Sequence, residues 1–356
     1  MSTPPETDLR DGDVPAAPFT DRPGQSRLRD VVPADPWQRV RAVLLAGYLV
    51  GYVVWFYVNG IIIDRISVTI SVVALLVLLH VGRSLFEWFR LAIDLLLYAA
   101  MWWVYDETRG IADRLGAPVQ IESTINIDRF LFFGTDPNVW MQQTFYSADH
   151  VYWYDIAASI FYYTHFVVPI AVIVFLWVSD RREWVRFMSR FATVLFVACI
   201  SFVVLPTVPP WMAAGGDPRR PLDALEPLAR PAGRGWQHLG LHGFVHAWET
   251  GRDWSNQVAA MPSLHAAFAL FVVVFFLPWI PWRPVKVLVF VFPLGMAVAL
   301  VYLAEHYVID VLAGWAVVGL SFLVWNRIER STRRRRAGVS RRALDPLVDA
   351  STMVGA

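Results

Sequence analysis

An all-α, polytopic transmembrane helix bundle of about eight spans is the fold class the sequence predicts, and three observations carry the prediction. Of 356 residues, 56% are hydrophobic and only 17% charged, against roughly 25% charged in ordinary soluble domains. The apolar residues gather into runs near 42–63, 66–81, 89–105, 154–178, 190–208, 261–280, 285–304 and 306–325, the second of them short for a span. The basic residues fall in alternate connections, the distribution expected when those connections face the cytoplasm.

Residues 1–40 are rich in Pro, Asp, Arg and Gly without an apolar stretch of signal-peptide type, and read as a disordered cytoplasmic tail. Residues 41–85 then form two extra N-terminal spans, 86–326 a core read below as catalytic, and 327–356 a basic cytoplasmic tail. An even span count puts both termini on one side. Arg39 and Arg41, Arg83 and Arg90, Arg181 to Arg190, Arg283 and Lys286, and Arg327 to Arg336 all fall on that side, whereas residues 106–153 are acidic on balance. The protein is thus expected in the cell membrane with both termini cytoplasmic. Two outer segments exceed simple turns. Residues 121–145 mix aromatics with isolated polar residues, as an interfacial helix does, and 209–257 form a long outer loop, either an ordered lid or mobile.

The net charge of +1 gives no sign of a nucleic-acid partner, and the single cysteine, Cys199, excludes an internal disulfide and a cysteine metal cluster. Oligomeric state leaves no trace in the sequence.

The chemistry concentrates between Met261 and Gly314. His265 and His306 each open an apolar run, and the two crossings between them return the chain to the surface it left, so both histidines face the extracytoplasmic side. His306 and Asp310 are four apart, which on a helix places them on one face, where the carboxylate can hold the imidazole in one tautomer. Ser263 is a preferred helix-capping residue, and the free N–H groups that follow it form an anion site near His265 that suits phosphate. His306 can then attack phosphorus while His265 protonates the leaving oxygen. No metal or other cofactor is implied. A His–Asp pair at this spacing can also be a satisfied buried hydrogen bond, but a second histidine at the matching end of another helix is not explained by packing. His238, His242 and His246 have zinc-compatible spacing, yet Gly240 and Gly243 disfavour the helix it requires.

Pro262-Ser263-Leu264-His265 and His306-x-x-x-Asp310 resemble the second and third motifs of the type-2 phosphatidic acid phosphatase superfamily. Val258 to His265 and His306 to Gly314 look most like the branch that includes inositol-phosphorylceramide synthase. Leu205 to Trp211 is similar to that branch's Pro-x-x-Pro-Pro-Trp signature and His165 to Pro169 to its His-Phe-Val-x-Pro stretch, with Asp128 to Gly134 a weaker match. The resemblance spans about residues 120–325 and implies a six-helix phosphatase-like core. It also implies His306 as nucleophile, Asp310 as its orienting partner and His265 as acid–base residue. The superfamily's Lys-x6-Arg-Pro motif is missing, and Leu300 stands where an arginine is expected before the nucleophile. Since phosphoryl transfer needs positive charge around the equatorial oxygens, Arg129, Arg219, Arg220 and Arg252 are the candidate phosphate ligands, with Ser263 and His165 as further substrate-binding candidates.

The function these readings imply is metal-independent transfer of a phosphoryl head group, such as inositol phosphate, from a phospholipid donor to a lipid hydroxyl through a phosphohistidine. Two alternatives stay open. One is a lipid phosphate or polyprenyl pyrophosphate phosphatase. The other is a membrane transporter, against which the lack of internal repeats and of matched broken helices argues.

Overall fold

The computed structural model describes residues 35–59, 65–111, 115, 117–216, 227–241, 245 and 258–353. The described residues form helices α1 (Gln38–Asn59), α2 (Arg65–His80), α3 (Leu85–Ile111), α4 (Glu122–Leu131), α5 (Pro137–Phe145), α6 (Trp153–Ser179), α7 (Arg181–Val204), α8 (Arg234–His238), α9 (Leu264–Phe276), α10 (Arg283–Leu288), α11 (Val291–Tyr302) and α12 (Val308–Met353). Within the described residues each expected apolar run is occupied by a helix, the seventh by the α10–α11 pair, and residues 60–63 of the first run lie outside them. Among the described residues, the segments Trp153–Ser179, Arg181–Val204, Arg283–Tyr302 and Val308–Thr332 are long and apolar enough to cross a membrane, and Thr69–His80 and Leu264–Trp279 are shorter apolar helices.

Two boundaries differ from expectation. The fifth run was expected over 190–208, but α7 starts at Arg181, because its basic first turns are neutralised. The Asp180 side chain caps the helix by accepting from the N–H groups of Arg182 and Glu183, and Arg186 and Arg190 pair with Glu183 and Glu329. The helix stops at Val204, just before Pro206, which has no N–H to continue it. At the other end of the chain, the segment expected as a basic tail continues α12 as far as Met353.

The bundle is held by two apolar clusters. Phe187 and Phe191 of α7 interleave with Phe268, Phe271 and Phe275 of α9, with Phe191 and Phe268 stacked at 4.5 Å and Phe187 edge-on to Phe271 at 4.9 Å. Tyr162 of α6, Ala266 and Ala269 of α9, and Met296, Ala299 and Leu300 of α11 form the second cluster, where alanines let the backbones approach closely. Large apolar side chains such as Val50, Leu97, Phe175 and Leu323 stand exposed around the bundle. In lipid that band is solvated rather than costly.

Helices α4 and α5 fill the region expected as one interfacial helix, split by a turn at Phe133 and Gly134, both with positive φ. Their polarity is reversed relative to a helix on a soluble protein. Thr124, Asp128, Asn138 and Gln142 are buried, while Phe130 is 83% and Phe133 100% exposed. The aromatic face suits a membrane interface, and the polar face braces the end of the bundle where the histidines lie.

Candidate active site

His265 lies in the first turn of α9, and Ser263 caps that helix, its Oγ accepting from the Ala266 N–H at 3.3 Å. The Ser263 N–H donates to the Asp310 carbonyl at 2.9 Å, so the start of α9 is tied to the start of α12. Gly314 permits this approach, since a Cβ there would stand 2.5 Å from the Ser263 carbonyl oxygen. The glycine at the end of the sequence motif is therefore a packing requirement.

His306 was expected on a helix with Asp310. It instead precedes the helix, and α12 begins at Val308. Asp310, in the first turn, folds back to accept from the Tyr307 N–H at 3.0 Å and sits 3.3 Å from His306 Nδ1. This is half of a capping box, and it joins helix initiation to imidazole orientation. The neighbouring N–H groups of Val308 and Ile309 donate to Asp128 at 2.7 and 2.9 Å. Two carboxylates thus satisfy three orphan donors at this helix start, where the helix dipole favours negative charge. Burial nevertheless pushes the Asp128 carboxyl up to about 6, against the two backbone hydrogen bonds that pull it down, with Asp310 and Asp136 adding to the rise.

The rings meet around His265. Its centroid lies 5.5 Å from that of His306, 4.7 Å from the stacked Tyr162 and 3.9 Å from the stacked His165. Nδ1–H of His306 donating to Asp310 leaves Nε2 as the basic nitrogen of that ring. Asn138 fixes the backbone behind it by donating to the carbonyls of Val301 and His306 at 2.9 and 3.1 Å.

Of the sequence candidates, the structure brings together His265, His306, Asp310, Ser263 and His165. Arg129 is exposed on α4. Arg219, Arg220 and Arg252, and His242 and His246 of the spacing considered for zinc, lie outside the described residues. Among the described residues no cluster of three metal-ligating side chains occurs.

Sequence reasoning missed Arg230, Glu305 and Tyr162. Arg230 forms a two-pronged pair with Glu305 at 2.7 and 2.9 Å, lies over the Trp211 ring at 4.0 Å and hydrogen-bonds Tyr162. Trp211 closes the Pro-Pro-Trp signature, and its backbone N–H donates to the Ala304 carbonyl at 3.1 Å. Upstream in the same segment, Gln120 pairs with Thr207, and Thr207 accepts from the Ala260 N–H. The signature therefore fastens the segment that follows α7 to the starts of α4 and α9 and to the end of α11. On the exposed apolar flank of the bundle, a shallow open groove is lined by Phe161, Val273, Leu288, Val289, Val291 and Phe292.

A family model described as the PAP2 superfamily matches residues 123–324. The phosphoinositol dihydroceramide synthase of Bacteroides thetaiotaomicron is similar to the chain, 30% identical over 241 residues that make up 66% of this chain and 76% of that protein. No solved structure matches the chain significantly. The family match takes in more than half of the chain, from α4 to the membrane part of α12, and with it the histidine end just described: the chain belongs to the PAP2 superfamily.

Proposed function

We propose that the chain is an integral-membrane lipid phosphotransferase that moves a phosphoinositol head group from a phospholipid to the hydroxyl of a ceramide-type lipid, at the extracytoplasmic face. In the first step His306 Nε2 attacks phosphorus, the bond from phosphorus to the diacylglycerol oxygen breaks, and His265 protonates that oxygen. In the second, His265 takes the proton of the acceptor hydroxyl, whose oxygen attacks phosphorus as the P–N bond breaks and His306 is restored. Asp310 stabilises the imidazolium and holds its tautomer throughout.

The observation that carries this reading is the buried His306–Asp310 pair facing His265 across 5.5 Å between ring centroids. The similar Bacteroides protein is named a phosphoinositol dihydroceramide synthase, which supports the head group and acceptor class. The open apolar groove on the flank of the bundle supports a lipid substrate. Val273 on its wall is eight residues along α9 from His265, about 12 Å deeper at 1.5 Å per residue, a depth suited to an acyl chain whose phosphate is at the histidines.

The test is a transfer assay with purified protein and a donor labelled in the inositol phosphate. Head-group release is expected to be slow with donor alone, and a ceramide-type acceptor should yield a new labelled phosphodiester. Rapid acceptor-independent release of inorganic phosphate from a lipid monophosphate, with no new lipid, would establish a phosphatase instead.

A further inference from the structure

The histidine end of the bundle is rich in buried carboxylates, Asp128, Asp155, Glu305 and Asp310. A phosphodiester placed there adds another negative charge, so catalysis requires a cation. Arg230 stands where that cation is needed. It grips Glu305, the residue immediately before His306, through Nε and Nη2. It also hydrogen-bonds Tyr162, whose ring stacks on His265. The guanidinium is therefore one side chain removed from each histidine.

Its position is built by distant parts of the chain. On one side, Gln142 clamps Ala229, accepting from its N–H at 2.8 Å and donating to its carbonyl at 2.9 Å. On the other, α8 packs against α6 so closely that a Cβ at Gly235 would lie 2.7 Å from Ser159 Oγ. Trp211 supports the guanidinium face. The Trp211 indole N–H is itself a buried donor with no acceptor among the described residues, an uncommon state that an anionic oxygen beside Arg230 would relieve.

We propose that Arg230 is the phosphate-binding cation of this site, with Glu305 as a resident counter-ion that holds the guanidinium until a substrate phosphate shares it. Glu305 engages two of the five N–H donors of an arginine and Tyr162 a further one, so a phosphate oxygen can replace the neutral Tyr162 acceptor without the Glu305 pair first breaking. This deepens the phosphotransferase reading and rests on it for the location of the phosphate, but it concerns binding and extends to a protein that turns nothing over.

The experiment titrates the full-length protein in detergent with inorganic phosphate by calorimetry, alongside kinetics on a phosphoinositol lipid. His306→Ala is expected to lose turnover yet bind phosphate within about threefold of wild type. Arg230→Ala should weaken phosphate binding and kcat/KM by about a hundredfold, and Arg230→Lys by about tenfold. Removing Arg230 alone leaves Glu305 buried without its partner, which can compromise folding. The double variant Arg230→Gln/Glu305→Gln removes both charges and should keep a thermal midpoint near wild type while remaining about a hundredfold impaired. Glu305→Gln alone should bind phosphate several-fold more tightly, because the competing carboxylate is gone. Recovery of phosphate binding or kcat/KM in the double variant would mark the pair as structural and overturn the proposal. So would an Arg230→Ala protein with unchanged phosphate binding, or one with an unchanged KM for the lipid if the wild type binds no inorganic phosphate. Loss of turnover in His306→Ala bears on the nucleophile alone.

Discussion

The membrane part of α12 has buried charge at both ends, and the two ends handle it differently. Away from the histidines, Arg190 is 1% exposed, and every neighbour answers it: Asn326 at 3.0 Å, Glu329 at 2.9 Å and the Arg186 carbonyl at 3.1 Å. Arg186 in turn pairs with Glu183 and Glu329. Two arginines face two glutamates, and the network sums to neutral. At the other end, Asp310, Asp128 and Glu305 surround aromatic and imidazole rings, with Arg230 as the counter-charge described above. Burial of charge is thus common to both ends. What separates them is cancellation: the network around Arg190 is closed and neutral, whereas His306 is oriented by a carboxylate and faces a second histidine ring.

Exchanging the expected consequences of these ends is the sharpest way to break the comparison. Asp310→Asn should lower kcat by about 10²–10⁴-fold with little change in melting temperature, because the carboxamide keeps the geometry but loses the charge that supports the imidazolium. Arg190→Met should do the opposite, costing about 3 kcal/mol of stability by stranding part of its network while kcat per folded molecule stays near wild type. Denaturation and steady-state kinetics on the two variants decide the matter. If Arg190→Met also abolishes turnover in folded protein, the two ends are not functionally distinct.

A smaller effect tests the link between helix start and site. Asp128 is buried at the start of α12, and its carboxyl is pushed up to about 6 from the ordinary 3.8. Since the native value is the higher one, its favourable contribution is complete below about pH 4 and is lost as the pH rises through about 6. Wild-type stability relative to Asp128→Asn should therefore fall by about 1–3 kcal/mol across that window and be level above it. At pH 7 the variant should lose about tenfold in kcat with KM little changed, since asparagine keeps only one acceptor oxygen for two N–H groups. A stability difference that does not vary between pH 4 and 7 would contradict an ionisable Asp128 at this position.

Much of this was legible before any coordinates. Helix existence followed from apolar runs, and His265, His306 and Asp310 followed from two short motifs whose spacing has a chemical meaning. The failures have physical causes. The start of α7 was misjudged because charges that read as a loop are cancelled by Glu183, three residues from Arg186, and by Glu329, 143 residues away from it. Arg230 is one of several arginines between α7 and α9, and nothing local distinguishes it. Its partner Glu305 is 75 residues away and the Gln142 clamp on its neighbour spans 87. Asn138 likewise reaches His306 across 168 residues. Contacts of that separation are products of the fold and leave no periodic or motif signal in the chain.

The central claim is that His306 becomes covalently bonded to phosphorus, and trapping that bond tests it most directly. Protein mixed with a phosphoinositol lipid carrying labelled phosphorus, quenched in alkali within one turnover and digested, should yield one labelled peptide with the modification on His306. The label should be stable to alkali, labile to acid, absent in His306→Ala, and discharged into new lipid when a ceramide-type acceptor is added before the quench. Label found on His265 instead, or full turnover with no label on either histidine, would contradict the account.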